Sequence, residues 1–125
     1  MRGGSMAKIL AVDDSASMRG MVAFTLRGAG HEVTEAEDGR QALDAAGAGA
    51  FDLVLADVNM PVMDGIAMVR ALRARPEYQG VPILMLTTES HAEKKMEGKA
   101  AGATGWLVKP FDPDQLLATV KRVLG

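Results

Sequence analysis

The sequence contains no cysteine. A disulfide framework, a cysteine zinc site and thiol chemistry are therefore excluded, and the absence fits a reducing compartment. Net charge is almost missing too, at −2 with an isoelectric point near 5.6. No global field draws such a chain to nucleic acid. No apolar run is long enough to span a bilayer, and no signal-peptide pattern opens the chain. Repeats, low-complexity tracts and linkers are lacking as well. What remains is 125 residues, the size of one domain with a proper core. Residues 1–5, "MRGGS", read as a leader, and the domain is expected over 6–125.

Within that domain, three apolar runs are continuous rather than alternating: "KILAV" (Lys8–Val12), "DLVLA" (Asp52–Ala56) and "PILMLT" (Pro82–Thr87). Strands covered on both faces by helices have this composition, as in a parallel sheet. "HEVTEA" (His31–Ala36) is more polar and suits an edge, and "GWLV" (Gly105–Val108) is a short fifth strand. Helical stripes fill the gaps. One runs from Ser17 to Ala29, and another from Pro113 to Leu124 behind the start signal Asp112, Pro113 and Gln115. Asp38 with Gln41, and Ser90 with Glu93, mark two more helix starts, and Asp64 caps a helix reaching about Ala74. Glu93–Ala103 carries the weakest stripe and is expected to dock least firmly. Five strand–helix units in alternation predict an α/β fold: a doubly wound five-stranded parallel sheet with helices on both faces.

Ligands of such sheets bind beyond the carboxyl ends of the strands. Those ends carry Asp13 and Asp14, then Asp57, then Thr87 and Thr88, then Lys109. Each has an ordinary explanation alone: a helix cap, a turn residue, a β-branched strand residue, a solvated loop charge. Together they form a pattern. Three crowded carboxylates raise one another's pKa, and a divalent cation removes the conflict. An all-oxygen donor set favours a hard ion, and few protein ligands favour Mg²⁺. The lysine and hydroxyl offer anion contacts. This is the chemistry of phosphoryl transfer, with the central Asp57 as the natural nucleophile.

The motifs "VDDS" (Val12–Ser15), "DVNMPVMDG" (Asp57–Gly65), "LTT" (Leu86–Thr88) and "GATGWLVKPF" (Gly102–Phe111) resemble those of response regulator receiver domains, most closely the single-domain chemotaxis regulators. The resemblance runs from Lys8 to Leu124. It implies the flavodoxin-like strand order 2-1-3-4-5 with five helices. It implies that Asp57 accepts phosphate from a histidine kinase of chemotaxis type. Asp14, Asp57 and the Asn59 carbonyl would hold Mg²⁺, with Asp13 acting through water. Lys109 and Thr88 would contact the phosphoryl group, while Thr87 and Trp106 would switch. A cis Lys109–Pro110 bond is implied as well. Trp106 stands where chemotaxis members often carry Tyr, and Thr88 where receivers often carry Ala.

By the same resemblance the chain would be a cytoplasmic monomer and not an enzyme beyond its own phosphorylation and dephosphorylation. Its output would be protein contact, with a flagellar motor switch protein as partner, and neither nucleic acid nor membrane involved. A phosphorelay shuttle or phosphate sink is the alternative. Two remoter readings are an aspartate-dependent phosphohydrolase and a flavin module. The adjacent Asp13 and Asp14 fit neither a spaced Asp-x-Asp nucleophile nor a phosphate-binding loop. His31 and His91 read as solvated surface residues.

Overall fold

A computed structural model describes residues 7–87, 92–109 and 111–125, with the side chains of 92–94 outside the description. The elements follow the expected alternation: β1 (Lys8–Val12), α1 (Ala16–Gly28), β2 (Glu32–Ala36), α2 (Gly39–Ala48), β3 (Leu53–Asp57), α3 (Gly65–Arg73), β4 (Ile83–Thr87), α4 (Ala92–Ala101), β5 (Gly105–Val108) and α5 (Pro113–Leu124). A 3₁₀ turn at Pro76–Tyr78 was not expected. All strand pairs are parallel, in the order β2-β1-β3-β4-β5. No helix among the described residues is long and apolar enough to cross a membrane.

The continuous apolar strands explain the two layers. Successive side chains point to opposite faces. Leu10, Val12, Val54, Ala56, Ile83 and Met85 therefore join one core, with Met68, Val69 and Leu72 of α3. Ile9, Ala11, Leu53, Leu55, Leu84 and Leu86 join the other, with Val22 and Leu26 of α1 and Leu116 and Val120 of α5. β2 is an edge strand, buried only at Ala36.

The caps set where helices leave the sheet. Asp38, Asp64 and Asp112 cap α2, α3 and α5, accepting from Gln41 N, Ala67 N and Gln115 N. The cap of α1 is Ser15, whose hydroxyl accepts from Met18 N, so the helix begins at Ala16, one residue before the sequence suggested. Neither Asp13 nor Asp14 is spent on capping it. The start signal Ser90 with Glu93 lies outside the described residues. His31 is half-buried rather than solvated. Its Nδ1 accepts from Ala7 N at 3.2 Å, and burial pushes its pKa down.

Candidate functional site: an acidic cluster at the carboxyl edge

The parallel register brings the strand ends level. Val12 pairs with Ala56, so Asp13 and Asp57 follow on neighbouring strands. Asp57 pairs with Leu86 and Thr87 with Val108, which places Thr87 and Lys109 one step beyond. One carboxylate oxygen from each of Asp13, Asp14 and Asp57 lies within 4.8 Å of the others. Lys109 Nζ reaches into the group, 3.1 Å from Asp13 Oδ2 and 3.4 Å from Asp57 Oδ1.

Asp57 is 8% exposed and Asp13 2%, whereas Asp14 is exposed. Burial raises the pKa of Asp57 from the usual carboxylate value. Lys109 opposes that rise, and the charges of Asp13 and then Asp14 add to it. One ammonium thus offsets part of three negative charges. A divalent cation fits the remainder, and the donors are all oxygen, which suits Mg²⁺ or Ca²⁺. The exposure of Asp14 leaves room for the waters that Mg²⁺ retains.

Asp13 is the fixed member. Its N–H donates to Ala36 O, its Oδ1 accepts from Ser15 N at 2.9 Å, its Oδ2 from Lys109, and its main-chain oxygen from Arg19 Nη1 at 2.7 Å. The Asp14 side chain makes no hydrogen bond or ion pair with the other described residues.

The loop after Asp57 is shaped by close approach. A Cβ at Gly65 would lie 2.2 Å from Asp57 O, so only glycine lets α3 start so near the cluster. Asn59 lies exposed in this loop. Val62 has φ 69°, and Met63 N donates to Pro61 O at 2.7 Å, a strained γ-turn. Thr87 is fully buried at the end of β4. Thr88 and Pro110 lie outside the described residues.

Trp106 is not brought to the cluster. It pairs in register with Met85, two residues before Thr87, and its ring lies on α4. A Cβ added at Gly98 would meet Trp106 Cζ2 at 2.3 Å, so the indole occupies a notch that only glycine leaves open. Beside it is a groove of about 340 Å³ lined by Lys95, Met96, Lys99, Ala103, Thr104 and Trp106. The close approaches at Gly65 and Gly98 and the contact of Arg19 with the Asp13 main chain were missed. Arg19 carried a signal, because a cation in the first turns of a helix opposes the macrodipole.

Three comparisons agree with this geometry. The response regulator receiver domain profile matches residues 9–121. Chemotaxis protein CheY of Pseudomonas aeruginosa is 39% identical over 117 residues, 93% of this chain and 94% of that protein. The solved structure of the chemotaxis response regulator CheY4 of Vibrio cholerae superimposes with a TM-score of 0.91 at 60% identity, covering 94% of this chain and 98% of that one. The receiver domain of a sensor histidine kinase from P. aeruginosa was solved with magnesium coordinated in its active-site cleft. It matches at a TM-score of 0.89 and 32% identity, over 95% of this chain and 98% of that one. Profile, relatives and fold coincide over the segment that builds the acidic edge: the chain belongs to the response regulator receiver domain family.

Proposed function

We propose that the chain is a phosphorylation-activated signalling module in which Asp57 accepts a phosphoryl group from a histidine kinase. One observation carries this reading: the buried Asp57 carboxylate is clustered with those of Asp13 and Asp14, and the Lys109 ammonium reaches both Asp13 and Asp57. Asp13, Asp14, Asp57 and the Asn59 carbonyl would hold Mg²⁺, which when bound supplies positive charge for phosphoryl oxygens. An Asp57 carboxylate oxygen attacks phosphorus, the donor's P–N bond breaks, and the imidazole leaves with the electron pair. Lys109 then has a phosphoryl oxygen to donate to, and that contact is charge-assisted. Thr88 is the second residue assigned to phosphate contact.

Output follows from the far side of β4 and β5. Thr87 moves toward the phosphoryl group, and Trp106 repacks against α4 in response. The face of α4, β5 and α5 is then read by a protein partner. Similarity to CheY proteins supports a role in chemotaxis, with a chemotaxis-type kinase as donor and a flagellar motor switch protein as target. In this reading the protein is a cytoplasmic monomer, touches neither nucleic acid nor membrane, and has no enzymatic role beyond its own phosphorylation and dephosphorylation. A shuttle or phosphate sink would use the same site without the motor contact. The receiver reading is preferred to an aspartate-dependent phosphohydrolase or a flavin module because Asp13 and Asp14 are adjacent and acidic, a pattern that suits neither.

The test is incubation with Mg²⁺ and acetyl phosphate, followed by borohydride trapping and peptide mass spectrometry. Modification at Asp57 is expected in the wild type, and none there in Asp57→Asn. Wild-type modification confined to other residues would overturn the assignment.

A further inference from the structure

Arg19 sits in the first turns of α1 with its side chain only 16% exposed. No acidic residue accompanies it in the first turn to relieve the helix dipole. A cation there is opposed by the helix dipole, so its presence calls for a compensating role. Its contacts supply one. Nη1 donates to the main-chain oxygen of Asp13 at 2.7 Å, and Nε donates to Glu35 Oε1 at 3.2 Å. Glu35 is itself held by Arg27, 3.3 Å from Nη1 to Oε2, and Arg27 donates to Val33 O at 2.9 Å. The oxygen that Arg19 grips belongs to the peptide joining Asp13 to Asp14.

We propose that Arg19, oriented by Glu35, is a positioning residue for the cation site: it fixes the Asp13–Asp14 peptide so that the exposed Asp14 carboxylate is presented beside Asp57. This rests on the Mg²⁺ site proposed above. Asp13 needs no help from Arg19 to keep its side chain in place, because Ser15 N and Lys109 hold both carboxylate oxygens. Asp14 has no such side-chain restraint among the described residues. Its direction depends on the peptide plane that precedes it. The planar guanidinium bonds two acceptors at once, one on β2 and one on the β1–α1 loop, which an ammonium does poorly. Partners that orient metal ligands without touching the metal typically contribute 10–100-fold to affinity.

Electrostatics alone predicts the opposite sign. Arg19 is a cation near the site, so removing it would tighten Mg²⁺ binding. Glu35 offsets that charge, which leaves direction rather than charge as the pair's contribution. The experiment is Mg²⁺ titration by calorimetry on the wild type, Arg19→Met, Arg19→Lys and Arg27→Met. Arg27→Met removes a Glu35 partner that does not touch Asp13. Arg19→Met should weaken Mg²⁺ binding about tenfold. Arg19→Lys, which keeps the charge and most of the stem, should weaken it severalfold, and it carries the test if Arg19→Met does not fold. Arg27→Met should leave Mg²⁺ affinity unchanged, because Arg27 bonds Glu35 and Val33 O and reaches neither a carboxylate of the cluster nor the Asp13–Asp14 peptide. Affinity unchanged or tightened in the folded Arg19 variants, with only the melting temperature lowered, would overturn the proposal. Failure of the wild type to bind Mg²⁺, or binding indifferent to Asp57→Asn, would overturn the underlying site instead.

Discussion

Helices α4 and α5 flank the same short strand, β5, and are held in opposite ways. α5 is capped by Asp112, starts on Pro113 and buries Leu116, Thr119 and Val120. Over residues 95–101, α4 buries only Gly98 and Ala101 and leaves Met96 70% exposed. One helix is fixed by large aliphatic side chains in a shared core. The other rests on small residues and a tryptophan ring. Among its described side chains little apolar area anchors α4, which marks it as the more easily displaced of the two. The comparison teaches that two helices flanking one strand can be anchored to very different degrees, the difference the proposed switch would use.

The largest effect should come from α5. Leu116→Ala removes a fully buried side chain and should destabilise by about 3 kcal/mol, whereas Met96→Ala on α4 should stay within about 0.5 kcal/mol. Urea unfolding of both variants measures the contrast, and equal losses would erase it. Gly98→Ala sharpens the comparison from the other side. The new methyl collides with Trp106, so despite a better helix propensity we expect a loss of about 1 kcal/mol and a shifted tryptophan emission. Gly20→Ala on α1 meets nothing within 4 Å and should instead gain about 0.5–1 kcal/mol. Thermal melts and fluorescence of the pair decide whether the notch at Gly98 is specific.

A smaller effect belongs to the cluster that these helices serve. Because the folded state raises the pKa of Asp57 above 3.8, its contribution to stability is full in acid and is lost as pH rises through the raised value. Near neutral pH and without metal, Asp57→Asn should therefore be more stable than the wild type, by about 1 kcal/mol. The advantage should close as pH falls. Melting temperatures from pH 3 to about 7 in a chelating buffer give the result (that window brackets the carboxylate range). An advantage that grew in acid would reverse the assignment.

Much of this was legible in the residues. Continuous apolar strands between capped stripes gave the sheet and its two layers, and Asp13, Asp14, Asp57, Thr87 and Lys109 fell at strand ends because strand ends could be counted. Contacts made by glycine or by backbone were not legible. Gly65 matters through a carbonyl 2.2 Å from where its Cβ would be, and Gly98 through a ring eight residues along the chain. No hydrophobic period records either. The ion pair of Lys109 with Asp13 joins residues 96 apart, and charge alone does not say which of three carboxylates the ammonium will choose. His31 reads as solvated because it heads an edge strand, but its acceptor role depends on Ala7, a neighbour only across the strand pair.

The central claim is that phosphorylation of Asp57 is transmitted through Thr87 to the α4 side of β5. Trp106 is the only tryptophan, so its emission reports that step without deconvolution. The direct measurement is Trp106 fluorescence during titration with beryllofluoride, a stable mimic of the phosphoryl group, in the presence of Mg²⁺. The wild type should show a saturable change in emission maximum or intensity larger than Mg²⁺ alone produces, Thr87→Ala a weakened change, and Asp57→Asn none. A wild-type emission, lifetime and quencher access that stay fixed at saturating beryllofluoride would contradict the account.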